Sequence, residues 1–182
     1  VSCRNTADAV SKLLLNAKIN NYASVTMDAV PLYNDLVGGV EVTVLDDFTG
    51  IDDTLVKGET ITLNGEQALK YVQSRKGVAD SSNESRMARQ KQYLEALNNK
   101  TRECINSNDK FVFDACVKMS DYLVSNCTVN QLQNLFNKIS QYEFCGIRYL
   151  EGESVAGDRF MEFYPSEESV KSQVVSLFYE NK

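Results

Sequence analysis

Residues 71–90 of this 182-residue chain read Tyr71-Val-Gln-Ser-Arg75-Lys-Gly-Val-Ala-Asp80-Ser-Ser-Asn-Glu-Ser-Arg86-Met-Ala-Arg89-Gln90, and a helix-like run, 91–97, follows directly. We call residues 71–90 the arginine segment. Between residues 71 and 91, five basic side chains are balanced by only two acidic ones, a net charge of +3, whereas the whole chain carries −6. Because arginine captures phosphate in a planar, bidentate geometry, this basic island indicates one defined anionic ligand; the alternative is a solvated helix face.

The bulk composition bounds the class of protein. An apolar content of 43% and a length of 182 residues suit one domain, or one domain with an appendage. The acidic balance argues against a nucleic-acid partner, which would need a broad basic face. No apolar run approaches the roughly 18 residues of a membrane span. Val1 is not a natural start, so we expect further sequence, including any membrane anchor, upstream of it.

The cysteines do not indicate a metal site. There are five of them and no histidine, and no two cysteines have C-x-x-C spacing, so we assign no metal ligand. Whether the cysteines form disulfides stays an open question, because their spacing selects no pairing. The alternative is that they are small hydrophobic side chains buried in the core. The five are Cys3, Cys104, Cys116, Cys127 and Cys145.

Hydrophobic periodicity predicts helices and strands on both sides of the arginine segment. Upstream we expect a helix over 28–37, an alternating strand over 40–44, a turn at Asn64-Gly65 and a helix over 66–74. After a polar loop, a long helix should begin near Glu84, capped by Ser82 or Asn83. Downstream we expect a helix over 109–124, a helix opened by a capping box at Thr128, strands over 143–150 and 159–164 joined at 151–153, and a helix after Pro165. The mixture makes the fold α/β or α+β.

The long helix should carry part of a phosphate site. Arg86, Arg89 and Gln90 are spaced i, i+3 and i+4, so we expect them on one face near the helix N-terminus. Free backbone N–H groups and the helix dipole favour an anion there. The alternative for Arg89 is an ordinary ion pair with Glu66, Glu84 or Glu95.

Three motifs occurring in order resemble the LytR-CpsA-Psr (LCP) family, also called the cell-envelope-related transcriptional attenuator domain. They are 35–44, 58–72, and Arg75 followed by Arg86-Met-Ala-Arg-Gln90. The resemblance is strongest over residues 20–97; residues 105–182 more weakly resemble a C-terminal extension. It implies an α/β/α sandwich with a mixed central sheet and a helix-rich C-terminal extension. We therefore expect residues 1–104 to form the C-terminal part of an LCP-type catalytic domain that lacks its N-terminal half, and residues 105–182 to pack on the same sheet.

The resemblance also implies an activity. Family members are phosphotransferases that attach glycopolymers of teichoic acid or capsule type, carried on polyprenyl pyrophosphate, to peptidoglycan. They act as membrane-anchored proteins on the extracytoplasmic face of the bacterial membrane, and we expect a Gram-positive source. The family site has a hydrophobic pocket for the lipid, an arginine cluster around the pyrophosphate, and Mg²⁺. The alternative is a non-catalytic envelope module, binding or regulatory, that binds polyprenyl phosphate or glycan.

Site residues carry over from the family one by one. Arg75 matches the second arginine of the family's Arg-x-Arg, and Arg86, Arg89 and Gln90 fill its Arg-x-x-Arg-Gln. The resemblance implies that Arg75 and Arg86 are catalytic and hold pyrophosphate oxygens. In that interpretation Arg89, Gln90 and Gln73 complete the substrate-binding set.

The chain also departs from the family pattern. Gln73 replaces the first arginine of Arg-x-Arg, and Asn83 stands where the family commonly has an acid, which leaves Asp80 as the candidate acid/base group. No carboxylates match the family's Mg²⁺ motifs, so we expect the Mg²⁺ ligands outside this chain and no activity from the chain alone. An exposed sheet edge covered by a second copy would make a homodimer.

Overall fold

Residues 3–179 are described by a computed structural model, in which the chain divides into two units. The central unit, residues 23–147, contains β1 (Ala23–Val25), α2 (Ala29–Leu36), β2 (Val40–Thr43), β3 (Thr60–Leu63), α3 (Gly65–Gln73), α4 (Asn83–Ser107), α5 (Phe111–Lys118), β4 (Leu123–Ser125) and α6 (Val129–Ile139). The terminal unit, residues 3–22 and 148–179, contains α1 (Cys3–Leu13), β5 (Gly152–Ala156), β6 (Met161–Pro165) and α7 (Glu167–Phe178).

The core of the central unit lies between β2 and the helices α3 and α4. Alternation along β2 buries Val40 and Val42 and exposes Glu41 and Thr43, as its sequence predicts. β2 pairs with β3 in antiparallel register, with Val40 opposite Leu63. Helix α4 packs on β2 and on α3, and α3 also packs on α2. This arrangement fixes the arginine segment, which joins α3 to α4, against the core.

Local capping signals set the start of most of these helices. Ser82 caps α4 by accepting a hydrogen bond from the Ser85 N–H, which confirms the predicted start of the long helix. Thr128 and Gln131 form the predicted capping box of α6. The predicted turn at Asn64 is wrong, because the Asn64 side chain accepts from the Gln67 N–H and opens α3 instead.

The α/β class is confirmed, and the strands differ in arrangement from one mixed central sheet. Within residues 3–179 they pair as three two-stranded antiparallel sheets, β1 with β4, β2 with β3, and β5 with β6. The link between β2 and β3, residues 44–59, contains no helix, and such a link returns the chain antiparallel to its neighbour, whereas a parallel pair needs a long crossover. The boundary between residues 104 and 105 stays a prediction.

Two downstream predictions are wrong. The helix expected over 109–124 ends at Lys118, and Leu123–Ser125 form β4, which pairs with β1 over residues 23–25. Residues 143–150 form no strand, and Gly146 has φ +82°, a conformation foreign to strands. The hairpin is therefore β5 with β6, and its turn lies at 157–160 rather than at 151–153.

In the terminal unit, helix α7 begins as predicted. Ser166 caps it by accepting from the Ser169 N–H, and α7 buries Val170 and Val174. All five residues of β5 and the first four of β6 are exposed. Among residues 3–179, no helix combines the length and the apolar character that crossing a bilayer demands.

Candidate functional site

The arginine segment is a helix–loop–helix junction closed by backbone and side-chain hydrogen bonds. Helix α3 ends at Gln73, and Ser74 leaves it in an extended conformation. The loop that follows is anchored by Val78, which is buried, while its N–H donates to the Arg75 carbonyl at 3.3 Å. Gly77 adopts φ +77°, which favours glycine at this turn. Buried contacts and hydrogen bonds therefore define the conformation of the loop in this junction.

Arg89 is buried at this junction. Its side chain is 1% exposed, and its Nη1 donates to the Asp46 carboxylate. Its Nε donates to the Tyr71 carbonyl at 2.9 Å, and its Nη2 donates to the Ser74 carbonyl. The guanidinium also lies 5.3 Å from the centre of the Phe48 ring, a cation–π contact. Arg89 thus ties the end of α3 to α4, and its partner is Asp46 rather than Glu66, Glu84 or Glu95.

Gln90 supports the same junction. Its Nε2 donates to the Val72 carbonyl at 2.9 Å, so it binds one of the α3 carbonyl groups that lack a helical partner. The structure therefore brings Arg89 and Gln90 together on the last turn of α3. Gln73, the last residue of α3, is exposed.

Arg86 lies one turn before Arg89 on α4 and has a different environment. Its Nη2 donates to the Asn83 Oδ1 at 2.6 Å, while its Nε is buried with no hydrogen-bond partner among residues 3–179. Asn83 is neutral, so this contact leaves the positive charge of Arg86 uncompensated. An acid at position 83, as in the family pattern, would neutralise it.

Arg75 directly follows Ser74, whose carbonyl Arg89 binds. Its side chain is exposed and forms no ion pair or hydrogen bond within the described part of the chain. The structure therefore divides the predicted arginines into two kinds. Arg89 is neutralised inside the fold, whereas neither Arg75 nor Arg86 has an acidic partner among residues 3–179.

Asp80 lies in the loop of the arginine segment and serves its turn. Its Oδ1 accepts from the Ser82 N–H at 2.9 Å, and the hydrogen bonds from Ser82 lower the pKa of the Asp80 carboxyl. The group is exposed and ionised at neutral pH, which suits a proton acceptor and not a proton donor. Its role in catalysis stays a prediction.

An open depression lies beside the junction. Its lining mixes acidic, basic and small side chains: Leu45, Asp46, Lys57, Ala79, Asp80, Ser82, Glu84, Ser85 and Ala88. Four of these nine residues carry a charged side chain. Tyr71, the first residue of the arginine segment, and Phe111, the first residue of α5, belong to the buried core.

The buried face of the junction is aromatic. The Tyr71 ring stacks on Phe48 at 5.6 Å, and its hydroxyl donates to the Gln92 Oε1 at 2.6 Å. Burial raises the pKa of Tyr71 to about 12. The phenol is therefore neutral at physiological pH and acts as a structural hydrogen-bonding group.

Sequence reasoning missed Asp46 and Ser85. The Asp46 carboxylate accepts from Arg89 and from the Ser85 Oγ at 2.6 Å. The one signal available was the pair Asp46-Asp47 shortly after a half-buried strand, where a carboxylate can meet a helix that packs on that strand.

The described side chains were compared with the requirements of a metal site and of disulfide bonds. Within residues 3–179, no three His, Cys, Asp or Glu side chains come together in a group able to hold a metal ion. All five cysteines, each in that range, are free thiols.

Comparison with known proteins identifies the family. The model of the LytR_cpsA_psr family matches residues 4–173. The comparison with curated proteins gives no match.

Solved structures share the fold. A transcriptional regulator of Enterococcus faecalis, EF0465, is 22% identical with a TM-score of 0.76, covering 96% of this chain and 63% of its own. Bacillus subtilis TagV is 25% identical with a TM-score of 0.69, covering 96% and 68%. A structure of TagT bound to LI-WTA is 21% identical with a TM-score of 0.73, covering 94% and 64%.

The chain thus spans about two thirds of the length of these three structures, while the family match takes in nearly all of the chain. The match includes the arginine segment and both helices that it joins. On this evidence the chain belongs to the cell-envelope-associated LytR-CpsA-Psr family.

Proposed function

We propose that this chain binds the pyrophosphate of a polyprenyl pyrophosphate-linked glycan through Arg75 and Arg86. The binding would serve the attachment of a glycopolymer, of teichoic acid or capsule type, to the peptidoglycan of the cell wall. The observation that carries the proposal is the uncompensated charge of these two arginines, in contrast to Arg89, which Asp46 neutralises. Membership of a cell-envelope family supports it.

Charge explains why Arg75 and Arg86 are the proposed ligands. A guanidinium that already binds a carboxylate has little left to offer a phosphate, and Arg89 is in that state. Arg86 has a neutral partner and a buried Nε without one, so an anion would supply the missing acceptor. Arg75 is exposed and free to form a bidentate contact.

The same two residues fit the chemistry of phosphoryl transfer. Negative charge is spread over the transferring group in that reaction, and fixed positive groups stabilise it. In the proposal Arg75 and Arg86 perform this role, Gln90 and Arg89 hold the α3–α4 junction in shape, and Gln73 lies at the rim as a neutral donor. Asp80, ionised in its turn, would accept a proton from an attacking hydroxyl.

Mg²⁺ belongs to the family's chemistry, and the described residues do not fit it. Residues 3–179 contain no group of three potential metal-ligating side chains, so we route no step through the metal. A location on the extracytoplasmic face of the membrane, an anchor in a longer chain, peptidoglycan as acceptor and association with a second copy are further parts of the proposal.

Binding of farnesyl pyrophosphate, measured by isothermal titration calorimetry, tests the proposal. We expect saturable binding, with farnesol as a control that lacks the pyrophosphate. Arg86→Ala and Arg75→Ala should each weaken binding by about tenfold to a hundredfold, since each removes a charge-assisted hydrogen bond. Arg159→Ala removes an exposed arginine from the terminal unit and should leave affinity unchanged. Equal affinity of the wild type and Arg86→Ala would refute the proposal.

A second candidate is a binding module without chemistry. Gln73 favours it, because this exposed, neutral side chain replaces an arginine of the family pattern and so removes one charge from the site. Gln73→Arg should strengthen farnesyl pyrophosphate binding several-fold, to the order of tenfold, by restoring a charged donor. Transfer of a lipid-linked glycan to peptidoglycan, by residues 1–182 or by a longer native chain that contains them, would eliminate this candidate; binding without transfer by the longer chain would support it.

A further inference from the structure

Asp46 occupies a particular place beside the candidate site. It lies in the loop directly after β2 and Val44, and its carboxylate accepts from two side chains of α4, Arg89 and Ser85. Its side chain is 14% exposed, so this carboxylate is largely withdrawn from water. Asp46 therefore binds α4 at two residues that flank Arg86 in the sequence, Ser85 and Arg89.

Arg89 links Asp46 to the end of α3. While its Nη1 is held by Asp46, its Nε and Nη2 donate to the carbonyls of Tyr71 and Ser74. A planar guanidinium presents its donors in a fixed fork, so the orientation of one edge sets the orientation of the others. The position of the end of α3 thus depends on the Asp46 carboxylate.

Both proposed pyrophosphate ligands lie close in sequence to residues that this guanidinium holds in place. Arg75 is the residue after Ser74, and Arg86 lies one helical turn before Arg89. A shift of Arg89 would move the Ser74 carbonyl relative to α4, and with it Arg75 relative to Arg86. Bidentate capture of a pyrophosphate by two arginines is sensitive to such a shift, because productive geometry tolerates only small displacements.

We infer that Asp46 is a positioning residue, which sets the spacing of Arg75 and Arg86 through Arg89 without touching the ligand. This inference rests on the proposed function. A neutral side chain at position 46 would leave the Arg89 cation buried without a counter-charge, a costly arrangement that favours reorganisation of the junction.

The test compares Asp46→Asn with Asp47→Asn. Both remove one negative charge and keep an oxygen acceptor, but the Asp47 carboxylate accepts only from Thr49 among residues 3–179 and has no contact with Arg89. Circular dichroism first establishes that both variants are folded at the temperature of the assay. We expect farnesyl pyrophosphate affinity to fall about tenfold in Asp46→Asn and to stay unchanged in Asp47→Asn. Equal affinities of the two variants would overturn the inference.

A double-mutant cycle separates positioning from general destabilisation. If Asp46 acts through the spacing of the two arginines, Asp46→Asn should cost little further affinity in a protein that already carries Arg75→Ala. Full additivity in the folded double variant would overturn the inference.

Amide hydrogen exchange gives a readout independent of any ligand. Asp46→Asn should speed exchange at Val78 and Ser81, whose N–H groups are bonded within the loop, and Asp47→Asn should not. If the wild type fails to bind farnesyl pyrophosphate, the proposed function falls, and this exchange pattern still decides whether Asp46 holds the segment. Unchanged exchange in Asp46→Asn would overturn its positioning role.

Discussion

Strand β2 of the central unit and strand β6 of the terminal unit both begin with alternating apolar and polar residues, but β2 is buried on one face and β6 is exposed. In β2, Val40 and Val42 are 0% and 3% exposed, because helix α4 packs on this strand. In the hairpin, Val155 and Phe163 are 47% and 52% exposed. Alternation therefore establishes that a segment is a strand, while burial requires a second layer over it. The same distinction separates Arg89, which the fold covers, from Arg75, which it leaves exposed.

The largest expected effect on stability comes from a pair of phenylalanines, one buried and one exposed. Phe48 is fully buried and contacts both Tyr71 and Arg89, and Phe163 is half exposed on β6. Phe48→Ala should lower the free energy of unfolding of the central unit by about 3–5 kcal/mol, since it removes buried apolar area and leaves a cavity. Phe163→Ala should stay within about 0.5 kcal/mol of the wild type. Urea unfolding followed by circular dichroism measures both, and similar losses would break the comparison.

A pair of tyrosines should give an intermediate effect at alkaline pH. Burial raises the pKa of Tyr71 to about 12, whereas the unfolded phenol ionises near 10. The unfolded state therefore loses its proton first, so the contribution of Tyr71 is complete below pH 10 and declines from pH 10 to about 12, by up to about 3 kcal/mol. Tyr71→Phe should flatten this decline in urea unfolding series at several pH values.

Tyr164 on β6 provides the matched control. A hydrogen bond with Glu162 raises the pKa of its phenol, and the side chain is exposed. Solvent screens such a contact, so Tyr164→Phe should alter the alkaline decline less than Tyr71→Phe. The reverse ranking would show that burial is not the dominant cause of the Tyr71 shift.

The smallest expected effect concerns helix caps, where the two units should behave alike. Thr128 opens α6 in the central unit, and Ser166 opens α7 in the terminal unit. Thr128→Ala and Ser166→Ala should each cost about 1 kcal/mol, because each leaves a backbone N–H of the first turn without its acceptor. Thermal unfolding compares them. A loss confined to one unit would mean that capping also depends on what surrounds the helix.

The features that sequence patterns predicted correctly are short-range ones. The start of α4 at Ser82, the capping box at Thr128 and the alternation of β2 each depend on residues within a few positions of one another. The helix expected to run to residue 124 was wrong because Leu123–Ser125 pair with β1, a hundred positions away. Propensity does not register such a partner.

The candidate site shows the same limit. Its arginines and Gln90 were identified from their spacing and from the family motifs. Neither source indicated which arginines are neutralised within the fold. Asp46 lies 43 positions from Arg89, and no periodic pattern connects them. A buried guanidinium requires a counter-charge, yet only packing reveals which arginine is buried.

By itself, the sequence determined the helix starts, the strand alternation, the basic charge of the arginine segment and the family, because these depend on local hydrogen bonds, side-chain period and residue identity. Only the tertiary structure decided that Arg89 is an internal anchor on Asp46 while Arg75 and Arg86 keep uncompensated charge. The physical reason is that the electrostatic role of an ionisable side chain depends on its solvent exposure and on partners that the fold brings from distant parts of the chain.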